Sequence, residues 1–558
     1  MKDFQRHSHF VVTVALFFCG LFSVSAQTTP PASDDYPVGR ESLPQAGVPA
    51  GKTFTFEMKS SRVFPDSVHT ITVYIPAEYT GEKPACLYVG LDGLGFHAST
   101  VFDNLIAEHA IPITIGVGVS PGIVESGKQP ENPRFDRSFE FDSLNDRLAR
   151  FLLEEVMPEV EKHSTPDGHP ILISANGNDR AIGGASTGAI AAFTVAWQRP
   201  DAFSRVFSAI GTYVGMRGGE SYYVLVRKTE PKPLRIFIQD GLHDEWNGGP
   251  EMGDWWMSNQ TMERALEFAG YDVRHVWGVG THNDQQAAML FPEAMRWLWK
   301  DWPAPVATGE FGNPVLKAIL QPDEQWQIAT ANCPGVTHLA SNPQGEVFPM
   351  ECTSADTSAA RAFGADGKLF RGDTVAKGLR VKDFTVRGNG NIYATTDGEL
   401  WLVRPNGNRT RIDTGLKGPS GIAFSPDGLW LFVAQNLSRT GMSYRVQTDG
   451  TVDSREPFYD FYVPTWADDS GAGELAMDKD GRAYAATRMG VQVFDRNGRV
   501  TAILPLPGNH PVTGICFGGK EFDTLYAASD GKIYKRKLRI TGALPWGPAI
   551  ALPPWGAG

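Results

Sequence analysis

The chain has 558 residues, 51 Lys and Arg against 63 Asp and Glu, and a formal net charge of -12. That length exceeds one ordinary core and points to roughly two to four domains, each supplied with apolar residues by a hydrophobic content of 42%. The acidic balance argues against a protein that neutralises nucleic-acid phosphates or docks on anionic lipid, and five Cys are too few for a disulfide scaffold.

Lys2 and Arg6 precede an apolar run from Phe10 to Val24, and Val24-Ser25-Ala26 puts small residues where a signal peptidase reads. Residues 1–26 are expected to be a secretory signal peptide. The alternative is an uncleaved anchor, but the run is shorter than the ~20 residues that span a bilayer. No later stretch reads as a membrane span, so the mature chain is expected to be secreted or periplasmic. Cys19 leaves with the leader, Cys86 reads as a buried thiol, and Cys333 and Cys352 are able to pair, since export permits it.

Residues 27–50 are rich in Pro, Ser, Thr and Gly without an apolar period and read as a flexible entry segment. Residues 51–303 alternate short apolar runs with amphipathic stretches. Strands are predicted over 70–75, 85–91, 111–119, 180–183, 235–239 and 273–279. Helices are predicted over 143–162, 189–198, 256–269 and 285–299. This alternation predicts an α/β domain with a mostly parallel sheet and helices on both faces.

A Pro- and Gly-bearing linker is placed at 304–325. Beyond it, over 326–540, helical period gives way to short strands led by polar turns. Pro-Gln-Gly (343–345), Gly-Asn-Gly (388–390), Pro-Asp-Gly (426–428), Lys-Asp-Gly (479–481) and Phe522-Asp523 each precede an apolar strand. A spacing of roughly 40–50 residues is the blade period of an all-β propeller. Five units are legible, and a sixth blade closed by strands from both ends is expected; an irregular β-sandwich is the alternative. Residues 541–558 read as a C-terminal tail.

Gly184-Ala185-Ser186-Thr187-Gly188 is a G-x-S-x-G motif between a predicted strand and a predicted helix. Small neighbours let the backbone take a strained turn that exposes the serine oxygen, which makes Ser186 the candidate nucleophile. A serine needs a base, and the base needs an acid to orient it. Three His follow within the domain: His243, His275 and His282. His275 lies inside an apolar strand and reads as structural, whereas His282 leaves a strand just before a helix and is the candidate base. The acid is sought in Asp240-Gly-Leu-His-Asp244. Asp244 lies further into the loop and is preferred, with Asp240 and Glu245 as alternatives. The oxyanion would meet the backbone amides of Thr187 and of Gly93 or Leu94. Trp246, Trp255 and Trp256 follow the acid and are read as candidate substrate-stacking residues or as packing. No cofactor is called for.

The first domain resembles the esterase D/enterochelin-esterase-like α/β-hydrolases that include carbohydrate esterase family 1. The stretches that carry this are Arg137-Ser-Phe-Glu-Phe, Phe151-Leu-Leu-Glu-Glu-Val-Met-Pro, Arg180-Ala-Ile-Gly-Gly-Ala-Ser-Thr-Gly, Gln239-Asp-Gly-Leu-His-Asp and Gly280-Thr-His. The resemblance implies a serine hydrolase of acyl esters, acetyl or feruloyl groups on polysaccharide among them, with Ser186, Asp244 and His282 as nucleophile, acid and base.

The second domain resembles the SMP-30/gluconolactonase propellers through Gly418-Pro-Ser-Gly-Ile-Ala-Phe-Ser-Pro-Asp-Gly, Glu474-Leu-Ala-Met-Asp-Lys-Asp-Gly and Gly490-Val-Gln-Val-Phe-Asp. That family holds a divalent metal with Glu, Asn and Asp on inner strands. The matching positions here are Thr337, Ser420 and Gly473, which supply no charge, and strand alternation turns Glu474 to the other face. No bound metal is therefore expected. The leading reading is an exported serine esterase acting on esters, polysaccharide-linked ones among them, with the propeller as a binding or positioning module. The alternatives are a sugar lactonase using the propeller, or a binding protein with an inactive hydrolase domain.

Overall fold

The computed structural model describes residues 35–127, 132–244, 251–349, 352 and 360–553. The leader falls outside them, as do Glu245 and Trp246. Among the described residues, no helix is long and apolar enough to cross a membrane.

An eight-stranded sheet organises the first half. Its strands are β1 (Lys52–Met58), β2 (His69–Ile75), β3 (Cys86–Leu91), β4 (Thr114–Val119), β5 (Arg180–Ala185), β6 (Arg205–Ala209), β7 (Arg235–His243) and β8 (Asp272–Thr281). They run in the order β1-β2-β4-β3-β5-β6-β7-β8. β1, β2 and β4 pair antiparallel, and from β4 to β8 the neighbours are parallel. The central strands read as unbroken apolar runs because both faces are covered. One core packs Val101, Phe102 and Leu105 of helix Ala98–Ala107 against Phe291 and Met295 of helix Gln285–Leu298. The other packs Phe151, Ile190, Phe193, Met262 and Leu266 beneath the opposite face.

The helix predicted over 143–162 is broken. It comprises an α segment at Arg147–Phe151, a π segment at Leu152–Val156 and an α segment at Met157–Val160. Pro158 has no amide hydrogen for the carbonyl one turn back, which explains the local widening.

The second half is a propeller-like ring. Four four-stranded antiparallel sheets are formed by 383–414, by 419–460, by 475–504, and by Gln327–Thr330 with 512–537. The last joins strands from both ends of the region. Two further positions hold two-stranded hairpins, Ala340–Ser341 with Val347–Phe348 and Arg361–Phe363 with Leu369–Arg371. The expected count of six full blades is thus met by four complete sheets among the described residues. The strands Ala340–Ser341, Arg361–Phe363, Asp383–Val386, Pro419–Phe424, Leu475–Met477 and Val512–Gly518 touch in a closed ring. Each polar turn singled out in the sequence joins the first and second strand of its unit.

The described parts of the entry segment, the linker and the tail are packed. Tyr36 and Ser42 are buried, and the Tyr36 hydroxyl accepts the Val279 amide at 2.8 Å. In the linker, Asn313 caps helix Pro314–Ile319, whose Leu316 and Ile319 enter the core with Tyr484 and Val491. Of the tail, Thr541 accepts from the Lys479 amide and Ala543 donates to Met477, so it straps one face of the ring. Cys333 and Cys352 form a disulfide; Cys86 and Cys516 are buried thiols.

The two halves are joined by hydrogen bonds. The Glu230 amide donates to Ile503 O at 3.1 Å. Asn313 Nδ2 donates to Arg227 O and Thr501 O at 3.0 and 2.9 Å. Asn509 Nδ2 donates to Gln198 O.

Candidate active site

β5 ends at Ala185 and helix Thr187–Gln198 begins two residues later, with Ser186 between them at φ 56° and ψ -121°. A non-glycine residue rarely adopts positive φ, so this turn is strained and is held by its surroundings. The Ser186 amide donates to Ala209 O at 2.9 Å. A Cβ on Gly184 would meet the Gly188 backbone at 2.7 Å, which is why the motif needs glycine at 184.

His282 and Asp244 reach this serine from the loops that leave β8 and β7. His282 Nε2 lies 2.8 Å from Ser186 Oγ, and His282 Nδ1 lies 2.5 Å from Asp244 Oδ1. Nδ1–H therefore donates to the carboxylate, and Nε2 accepts from the serine hydroxyl. The loops approach closely because Gly241 and Gly280 are adjacent; a Cβ on Gly241 would meet Gly280 O at 2.2 Å. Asp244 is 2% exposed. Asp240 does not reach the imidazole. Its carboxyl is fully buried behind Asp244, and burial, with the neighbouring Asp244 charge, pushes it well above the usual carboxylate range.

The other sequence candidates separate in role. Trp255 is 3% exposed. It packs edge-on to His282 at 5.7 Å and donates from Nε1 to Thr212 Oγ1 at 3.3 Å, so it supports the site. Trp256 packs on Trp277, beside the stacked pair of His275 and Trp277. His275 Nδ1 lies 3.0 Å from Glu263 Oε1, in keeping with a structural ring. Thr212 escaped sequence reasoning: its hydroxyl sits 3.3 Å from Ser186 Oγ, yet it lies in a loop after β6 with no motif around it.

The loop after β3 runs over the start of helix Thr187–Gln198, where a Cβ on Gly188 would lie 3.0 Å from Asp92 Oδ2. Of the two expected donors on this loop, the Gly93 amide donates to Val119 O at 3.3 Å. Arg137 grips Asp92 through two bonds of 2.8 Å and so fixes this loop.

A second group gathers within the propeller-like ring. The family's metal positions do not fit a cation. Ser420 Oγ donates to Ala472 O at 2.6 Å, Thr337 Oγ1 is 2.9 Å from His338 Nδ1, and Gly473 has no side chain. The expectation for Glu474 is overturned. Position 474 precedes the strand Leu475–Met477, so strand alternation does not govern it, and its buried carboxylate turns inward. There it accepts the Leu339 and Ile515 amides at 2.9 and 2.8 Å. Asp383 likewise accepts the Ile422 amide at 3.1 Å. His338, Asp383 and Glu474 bring ligand atoms within 4.8 Å of one another. Burial pushes Asp383 up to about 7 and Glu474 well above its usual range.

Residues 63–298 match the family model described as "Putative esterase", and residues 354–531 match "SMP-30/Gluconolactonase/LRE-like region". The gluconolactonase of Zymomonas mobilis subsp. mobilis is 26% identical over 150 residues, which cover 26% of this chain and 41% of that protein. The chain therefore spans less than half the length of that relative. A ferulic acid esterase structure is 16% identical with a TM-score of 0.35, over 45% of this chain and 99% of its own. The enterobactin esterase of Shigella flexneri is 19% identical with a TM-score of 0.35, over 46% of this chain and 61% of its own. The chain joins an esterase-family domain to an SMP-30/gluconolactonase-like region.

Proposed function

We propose that this protein is an exported serine carboxylesterase that hydrolyses acyl esters, of acetyl or feruloyl type on carbohydrate, through an acyl-enzyme. The observation that carries this reading is the hydrogen-bonded line Asp244–His282–Ser186 ending on a strained strand-to-helix turn. In this reading Ser186 Oγ attacks the ester carbonyl carbon as its proton passes to His282 Nε2. Asp244 stabilises the imidazolium that forms. The oxyanion rests on the Thr187 and Leu94 amides at the helix start. The carbon–oxygen bond to the alcohol then breaks, and His282 returns the proton to the leaving oxygen. Water, deprotonated by the same nitrogen, adds to the acyl carbonyl and releases the acid with Ser186 restored. Replacing Ser186 by Ala should abolish hydrolysis of small aryl and acetyl esters without loss of fold; unchanged turnover would refute the assignment.

A second reading has its own observation. The residues His338, Asp383 and Glu474, in a region that matches lactonase relatives, would let the propeller act as a lactonase. These three residues would hold a divalent cation, which would polarise a lactone carbonyl as a Lewis acid. Asp383 and Glu474 would orient around it while keeping their bonds to the Ile422, Leu339 and Ile515 amides. Lactone turnover that is lost on chelation and in Glu474→Gln, while ester turnover persists, would establish this second site. Ring closure through the two hairpins supports a six-bladed propeller with two reduced blades. Domain limits of 51–303 and 326–540, and export after Ala26, complete the proposal.

A further inference from the structure

All six strands that close the ring supply residues to one cavity of about 120 Å³, and residues 543–547 of the tail lie across it. The tail is pinned on both sides of the cavity. The Ala543 amide donates to Met477 O at 2.7 Å, and the Ile550 amide donates to Pro426 O at 2.9 Å. The family's metal positions Thr337, Ser420 and Gly473 line a different cavity, together with His338; Glu474 borders both. The wall under the tail holds polar groups that the fold leaves without partners. Thr385 is 4% exposed, and its hydroxyl has no hydrogen-bond partner among the described residues. The Arg387 guanidinium lies 4.3 Å from the centre of the Phe424 ring, and among the described residues no carboxylate pairs with it. A half-buried cation and a buried hydroxyl both cost free energy when unpaired. The acids of this wall are engaged elsewhere. Asp383 accepts the Phe384 amide at 2.8 Å and the Ile422 amide at 3.1 Å, and Glu474 accepts the Leu339 and Ile515 amides. Much of the remaining wall is apolar, with Phe363, Met477, Phe517 and Trp546.

We propose that this cavity binds a small organic carboxylate beneath the tail, with its anionic end on the Arg387 guanidinium and the Thr385 hydroxyl and its hydrocarbon body among the aromatic rings. A guanidinium presents a planar fork that a carboxylate meets through two parallel bonds. The apolar wall favours a ligand with a hydrocarbon body over bare phosphate or sulfate. An apolar cavity of about 150 Å³ admits benzene, so the body here is no larger than one ring. A ligand seated in it lies under residues 543–547, so the tail must lift for entry and stays closed while the site is filled. The site is separate from the Ser186 turn, and the proposal does not depend on the esterase reading.

Calorimetric titration of the full chain with benzoate tests this, with benzamide and inorganic phosphate as the neutral and the bare-anion controls. Benzoate should give a single saturable event with a Kd of about 1 mM or tighter, and both controls should bind at least ~10-fold more weakly. Arg387→Gln should weaken benzoate at least ~10-fold, and Thr385→Val about threefold. Amide hydrogen exchange over residues 541–553 should slow when benzoate is present. No saturable heat, benzamide or phosphate binding as tightly as benzoate, or an unchanged affinity in Arg387→Gln would overturn the proposal. Protection that appears around Ser186 and not in the tail would overturn it too. The two control ligands and the exchange pattern are read on the parent protein, so the test still decides if Arg387→Gln folds poorly.

Discussion

Glu230 holds Arg536 through two parallel bonds, Oε2 to Nη1 at 2.6 Å and Oε1 to Nη2 at 2.8 Å, across the boundary between the α/β half and the propeller-like half. Arg536 is 2% exposed, so its charge depends on this carboxylate. The pair locks the end of helix Tyr222–Lys228 to strand Lys532–Lys537, and a bridge between Thr229 and Ile503 extends the contact.

Removing one partner of a buried pair leaves the other charge uncompensated, which costs about 3–5 kcal/mol. Glu230→Ala should therefore destabilise the full chain by that amount in denaturant melts. A loss below about 1 kcal/mol would place the pair among accessory surface bridges.

Lys232 lies in the same seam. Its amine donates to Trp197 O and sits over the Trp197 ring, and burial pulls it down to about 7. Between about pH 7 and ~10.4 the unfolded chain would hold this proton and the folded chain would not, so stability from this group rises with pH across that window, by at most ~1.4 kcal/mol per unit. Below about pH 7 the cost of burying the ammonium is complete and constant. Lys232→Met should flatten that rise in melts recorded from pH 6 to 10; an unaltered slope would mean that the amine is hydrated.

The Cys333–Cys352 bond closes a loop with a sequence separation of 19. Cross-linking a loop of this size stabilises by ~3 kcal/mol in the chain-entropy account. The Cys333→Ser/Cys352→Ser protein should be less stable by about that amount, and non-reducing peptide mapping should find these two cysteines joined while Cys86 and Cys516 stay free.

The parts of the architecture that were legible in the sequence are those with a local signature. The Gly184–Gly188 turn announced Ser186 because its glycines answer a steric demand, and the polar turns before the second strands marked the propeller units because turns need Gly, Asn and Asp. β6 was not legible: Arg205–Ala209 is short, and its leading arginine looks exposed until its guanidinium is found donating to Leu298 O. Glu474 was misplaced because alternation was extended to a residue outside its strand. The choice between Asp240 and Asp244 depended on how far a loop reaches, which spacing along the chain does not encode. Thr212 and the strap from Thr541 depend on contacts between distant segments, and no local pattern records those.

Asp244→Asn should lower ester turnover ~10³–10⁴-fold, since the imidazole loses the acceptor that sets its tautomer. Comparable activity in this variant would return the acid role to Asp240.

The central claim is that Ser186 is acylated. The direct measurement is peptide mass mapping of the full chain after brief exposure to a fluorophosphonate, with Ser186→Ala in parallel. One stoichiometric adduct is expected, on Ser186, that abolishes ester hydrolysis and is missing from the variant. An unmodified Ser186 in a protein still hydrolysing esters, or full turnover by Ser186→Ala, would contradict it.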